Sequence, residues 1–107
     1  MRKVYNKLVR DHIPAIIRRH GDTYETETMA EVEFQQALRQ KLVEEAQEVV
    51  QADTQDELIK ELADLCEVID TIMQHNNIPT SIVKAEQERR RSERGGFTQR
   101  IKLLWTE

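Results

Sequence analysis

Three glycines and two prolines are all that punctuate these 107 residues, and none of the five lies between positions 22 and 78. Glycine and proline are the strongest local breakers, so a gap of this length constrains the chain to long helices. Pro14 leads a short helical stretch, Ile13 to Arg19, and His20-Gly21-Asp22 reads as a turn. Tyr24, Thr26 and Thr28 alternate with acids as in a short strand. Helical spacing runs from Glu31 to Ala52. Thr54 then reopens the chain with Glu57 three residues on, the spacing of a capping box, and predicts a second long helix ending near His75. Pro79-Thr80-Ser81 starts a third helix, which should fail at Gly95-Gly96. The expectation is an all-α fold: a short N-terminal extended segment and an antiparallel helical hairpin, forming one domain over residues 1–107.

Such a hairpin has apolar stripes on one side only, and apolar residues make up 38% of the chain against 34% charged. That is little core for a free monomer, so a four-helix bundle is expected to form by oligomerisation, as a homodimer or homotetramer. A single cysteine, Cys66, excludes an internal disulfide framework. The start lacks a basic-then-apolar targeting pattern, which places the expected setting in the cytoplasm. The longest uncharged stretch, residues 71–83, contains Gln74, His75, two asparagines and Pro79, and excludes a membrane span.

Charge is segregated. Residues 25–70 carry fourteen acids against Arg39, Lys41 and Lys60, a net of −11, whereas residues 1–24 come to +4 and residues 71–107 to +3. A nucleic-acid binder concentrates basic residues on its main surface, so no nucleic-acid partner is expected. An acidic middle between basic ends suits cations held by carboxylates and an anionic ligand met by the basic arms.

Helical geometry sharpens this. With Glu45 at zero and about 100° per residue, Phe34, Leu38, Leu42 and Val49 fall between about −20° and +60°, Glu48 near −60° and Glu44 near −100°. On the next helix, with Glu61 at zero, Leu58, Leu62, Leu65, Ile69 and Ile72 fall between about +20° and +100°, and Asp64 near −60°. Both helices carry the same acidic edge beside the apolar stripe, Glu45 matching Glu61 and Glu48 matching Asp64. Cys66 and Met73 lie toward the packing arc and read as core.

Carboxylates crowded beside a core raise one another's pKa and resist desolvation, a conflict that a divalent cation removes. An all-oxygen donor set favours Mg²⁺, with Mn²⁺ possible, over zinc. A di-iron bundle site needs Glu-x-x-His on two helices, and none of His12, His20 or His75 lies three residues after a glutamate.

Lys41-Leu-Val-Glu44-Glu45-Ala-Gln-Glu48 followed by Glu61-Leu-Ala-Asp64 resembles the paired motif of the all-α nucleoside triphosphate pyrophosphohydrolases, the MazG-like proteins related to phosphoribosyl-ATP pyrophosphohydrolases and dimeric dUTPases. Lys7-Leu-Val-Arg10-Asp11-His-Ile-Pro14 and Arg94-Gly-Gly-Phe97 are similar to the flanking motifs of small stand-alone MazG-like members. The resemblance implies hydrolysis between the α- and β-phosphates of a nucleoside triphosphate, giving a monophosphate and pyrophosphate, in nucleotide-pool house-cleaning. It implies Glu45, Glu48, Glu61 and Asp64 as Mg²⁺ ligands, the four that the helical geometry also makes convergent. Glu44 and Glu45 are assigned to catalysis, Glu44 as the outermost residue orienting water, and which carboxylate takes the proton stays open.

Lys7, Arg10, Lys84, Arg91 and Arg94 are candidates for the triphosphate; Arg94 precedes a loop with two free backbone N–H groups. Asp11 reads as a helix N-cap. Lys41 stands one turn before Glu44 and Glu45, where an ion pair and a substrate contact are equally open. Two other readings share the framework: phosphoribosyl-ATP hydrolysis, and a catalytically silent nucleotide-binding helical dimer.

Overall fold

The computed structural model describes residues 1–107 as four helices and no strand: α1 (Ile13–Arg19), α2 (Glu31–Gln51), α3 (Gln55–His75) and α4 (Thr80–Arg94). The chain is all-α. It falls into two compact units, Met1–Ile72 and Met73–Glu107, with the boundary in the last turn of α3.

In the first unit, an irregular arm of twelve residues leads into α1. Asn6 sits at φ +47°, a left-handed conformation that asparagine tolerates well, and bends the arm just before Lys7. Leu8 alone among the first ten residues is half-buried. The cap position of α1 belongs to His12, without a side-chain bond, and not to Asp11. The reason is local: Ile13 N–H donates to the Arg10 carbonyl at 3.1 Å and Pro14 has no N–H, so a capping carboxylate finds few donors. At its other end, Gly21 (φ +86°) allows its own N–H to donate to Arg18 O at 2.9 Å and that of Asp22 to donate to Ile17 O at 3.3 Å, a Schellman closure that stops α1.

The strand expected around Tyr24 to Thr28 does not form; residues 22–30 have no regular structure. A strand needs a neighbour for its ladder, and this all-helical chain supplies none. Tyr24 folds back on α1 instead, its hydroxyl accepting from Arg18 Nη2 at 2.7 Å, with the guanidinium 5.5 Å from the ring centre.

α2 and α3 are each 21 residues long and are joined by residues 52–54 alone, so they form a hairpin. Glu57 N–H donates to Thr54 Oγ1 at 3.1 Å, while Glu57 Oε2 accepts from Asp53 N–H at 3.0 Å. This is the anticipated capping box, its return bond shifted by one residue. Leu38 and Val68 are this unit's buried apolar side chains, whereas Val43, Val50, Ile59 and Leu62 remain exposed.

The second unit begins with Met73, which is buried. Asn77 (φ +56°) closes α3 as Gly21 closes α1: Ile78 N–H donates to Met73 O at 2.9 Å. Pro79 immediately precedes α4, and Gly95 (φ +82°) follows it, as the breaker pattern predicts. Beyond it, Phe97, Ile101, Leu103, Leu104 and Trp105 lie in an exposed irregular tail. No helix is long and apolar enough to cross a membrane.

Candidate metal centre

Because α2 and α3 turn back on each other about residue 53, positions equidistant from that turn meet. Glu45 thereby faces Glu61 and its neighbour one turn on, Asp64; one carboxylate oxygen from each of the three lies within 4.8 Å of the others. All three side chains are half-buried. Three hard oxygen donors at this spacing, with no thiolate or imidazole among them, fit a divalent cation of the Mg²⁺ or Mn²⁺ kind.

Electrostatics mark the same place. Partial desolvation, together with the charges of Glu48, Asp64, Glu45 and Glu57, holds the Glu61 carboxyl above its ordinary range. This carboxyl therefore meets more negative charge than the fold neutralises. Glu48, expected in the ligand set, is exposed and stands outside the trio, although it shares a shallow groove of about 170 Å³ with Gln51, Glu57 and Glu61. Glu57 belongs to this acidic field as well as to the helix cap. Its position four residues before Glu61, one turn away on the same face, was the available signal in the sequence.

Glu44 is not the outermost carboxylate; it is half-buried, whereas Glu48 is exposed. The N-terminal arm accounts for the reversal. Lys7 Nζ donates to Glu44 Oε1 at 3.2 Å, and Lys41 Nζ lies 3.6 Å from the same oxygen and 3.7 Å from Glu45 Oε1. The hydrogen bond from Lys7, followed by the charges of Lys41 and Lys7, outweighs desolvation and holds Glu44 below the ordinary carboxylate range. Three residues on, Arg10 Nη2 donates to Asp64 Oδ1 at 2.8 Å. The arm thus brings both of its candidate cations onto the acidic edge across 37 and 54 residues of sequence. Lys7, Lys41 and Glu44 also line a groove of about 150 Å³ between the arm and α2, together with Asn6, Gln36 and Gln40.

In the second unit, Lys84, Arg91 and Arg94 are exposed on α4. Two of its acids are engaged by other arginines: Glu86 by Arg89 and Arg90, and Glu93 by Arg89. Cys66, read from the sequence as core, is exposed; it lies beyond the edge of the apolar arc, where no neighbouring helix of this chain covers it.

Comparison with curated proteins and with solved structures finds no significant match. The family model for phosphoribosyl-ATP pyrophosphohydrolase matches residues 9–91, more than three quarters of the chain, and spans the arm from Val9, both acidic helices and most of α4. With the paired acidic motif and the all-helical hairpin that carries it, this match establishes that the chain belongs to the phosphoribosyl-ATP pyrophosphohydrolase family.

Proposed function

We propose that the protein is a Mg²⁺-dependent nucleotide pyrophosphohydrolase that cuts a nucleoside triphosphate between its α- and β-phosphates, releasing a monophosphate and pyrophosphate in nucleotide-pool house-cleaning. The observation that carries this reading is the convergence of Glu45, Glu61 and Asp64. In it those three residues hold Mg²⁺, with Mn²⁺ as a substitute, and Glu48 joins them from the rim. The cation, when bound, neutralises phosphate oxygens and acidifies water. The chain does the rest. Glu44, fixed as an anion by Lys7 and Lys41, orients the attacking water, and Glu45 is its partner in catalysis. Lys7, Arg10, Lys41, Lys84, Arg91 and Arg94 supply positive charge for the triphosphate; of the two backbone N–H groups expected to be free after Arg94, that of Gly95 instead donates to the Arg91 carbonyl at 2.8 Å, which leaves that of Gly96. The proposed setting is cytoplasmic, where nucleotide pools are found.

The proposed working unit is a homodimer or homotetramer. Val43, Val50, Leu58, Ile59, Leu62 and Ile69 leave α2 and α3 with apolar surface that a single chain does not cover, and a four-helix bundle would cover it.

Phosphoribosyl-ATP as substrate is the second reading, and the family match over residues 9–91 favours it. The house-cleaning reading draws on residues outside that match, Lys7 and the Arg94-Gly-Gly-Phe97 loop. Both substrates offer the same α–β anhydride. Pyrophosphate release across a panel of standard and modified nucleoside triphosphates plus phosphoribosyl-ATP, with Mg²⁺ and with EDTA, separates them. Label from ¹⁸O-water should enter the monophosphate. Label in pyrophosphate would move the attack to the β-phosphorus, and orthophosphate with a nucleoside diphosphate would refute the reading. No turnover of any nucleotide would leave the silent binding module.

A further inference from the structure

The arm contacts have a geometry that local helix pairing does not require. Arg10 reaches across 54 residues to Asp64, one of the three clustered carboxylates, whereas Lys7 reaches Glu44, which lies outside that cluster. Arg10 and Asp64 are joined by one guanidinium nitrogen and one carboxylate oxygen, with side chains 56% and 45% exposed, so the contact is weak and readily reversed. The Lys7 contact is reinforced by Lys41 on the same Glu44 oxygen.

We infer that the arm is a two-point strap in which Arg10 stands in for the cation on Asp64, leaves when a divalent cation binds, and is thereby freed to meet the substrate's phosphates, while Lys7 on Glu44 keeps the arm tethered. This inference rests on the cation site proposed above. A divalent ion contacting carboxylate oxygens at about 2.1 Å outcompetes a single solvent-exposed guanidinium, and its charge repels the guanidinium it displaces. Arg10 lies three residues from the tether, so it stays within reach of an anion arriving at the cation. Metal and nucleotide then act in a fixed order on one side chain: it is held, released, and held again by a different partner.

The Arg10 side chain reports this directly through the solvent exchange of its Nη–H protons, which include the one bonded to Asp64, in low-temperature ¹H–¹⁵N NMR of the full-length protein, the signal being assigned by its loss in Arg10→Lys. Exchange should be slow in EDTA, at least about threefold faster with saturating Mg²⁺, and slow again with Mg²⁺ and α,β-methylene-ATP. Calorimetry provides the second measurement: Arg10→Ala should bind Mg²⁺ about two- to fivefold more tightly without nucleotide, whereas Arg2→Ala, the same loss of charge elsewhere on the arm, should not. Unchanged Arg10 exchange while calorimetry records bound Mg²⁺ overturns the strap and leaves the cation site standing. Failure of the wild-type protein to bind Mg²⁺ or Mn²⁺ at all overturns both.

Discussion

The acidic edge of α2 and α3 and the mixed-charge surface of α4 are opposite in construction. On α4, Arg89 bonds Glu86 three residues before it and Glu93 four residues after it, and Arg90 adds a second contact to Glu86. These are neighbours on one helix surface, and they satisfy each other without any other part of the chain. On α2 and α3 the carboxylates face carboxylates; apart from Lys41, their positive partners come from the arm, 37 and 54 residues away. The contrast appears in the titration directions. Glu86 is held below its ordinary range by its hydrogen bond from Arg89, whereas Glu61 is held above by desolvation and four like charges. Glu86 and Glu93, met by arginines of their own helix, leave no demand for a cation. An edge that gathers like charge from two helices leaves a demand that a cation can meet.

The hardest test of that contrast is removal of charge from each side. Glu45→Gln and Glu61→Gln should each lower kcat by at least about a hundredfold, because each removes a proposed cation ligand. Glu67→Gln, exposed on α3, and Glu86→Gln on α4 should stay within about twofold. Steady-state kinetics at saturating Mg²⁺ decides it; equal losses at Glu61 and Glu86 would erase the distinction between the two surfaces.

A smaller effect is expected for the cations. Arg94→Ala should weaken triphosphate binding or cleavage by about tenfold while leaving Mg²⁺ affinity unchanged by calorimetry, since its proposed partner is phosphate. Loss of Mg²⁺ affinity in this variant would instead tie Arg94 to the cation.

Stability sharpens the contrast further. The carboxyl of Glu61 has a raised value in the fold, so its contribution is most favourable below the ordinary carboxylate pKa and is lost as pH rises through the folded value. Metal-free protein at neutral pH should therefore gain thermal stability from Glu61→Gln, and Mg²⁺ should raise the Tm of the wild type and not of the variant. Glu44 has the opposite sign: its lowered value stabilises the fold above the ordinary pKa, and that support fades as pH falls through the folded value. Lys7, its hydrogen-bond donor, is exposed and Lys41 stands further off at 3.6 Å, so Glu44→Gln should cost only about 0.5 kcal/mol at pH 7. The smallest effect belongs to Arg89→Ala, a few tenths of a kcal/mol in chemical denaturation with activity intact.

Much of the helical framework could be read because its signals are local. Gly21, Gly95 and the Thr54–Glu57 spacing act within one turn, and all three ends fall where the sequence put them. The pairing of Glu45 with Glu61 and Asp64 was legible too, because a three-residue link leaves a hairpin little freedom of register. What failed was non-local or competitive. Alternation at Tyr24 to Thr28 predicted a strand, but periodicity cannot report whether a partner strand exists. Asp11 lost its capping role to a proline that has no N–H. Glu44 and Glu48 exchanged order of exposure because the arm lies over one and not the other, and no helical wheel contains a contact from residue 7 to residue 44.

The exposed thiol of Cys66 makes the cation site measurable by distance. It is the chain's single cysteine, two residues past Asp64 and turned about 200° around α3 from it, so a label attached there modifies one position only and does not cover the carboxylates. A nitroxide at Cys66 turns Mn²⁺, the proposed substitute cation, into a ruler: spin–spin broadening between the two would fix how far a bound ion sits from residue 66, and would do so whether or not any nucleotide is hydrolysed.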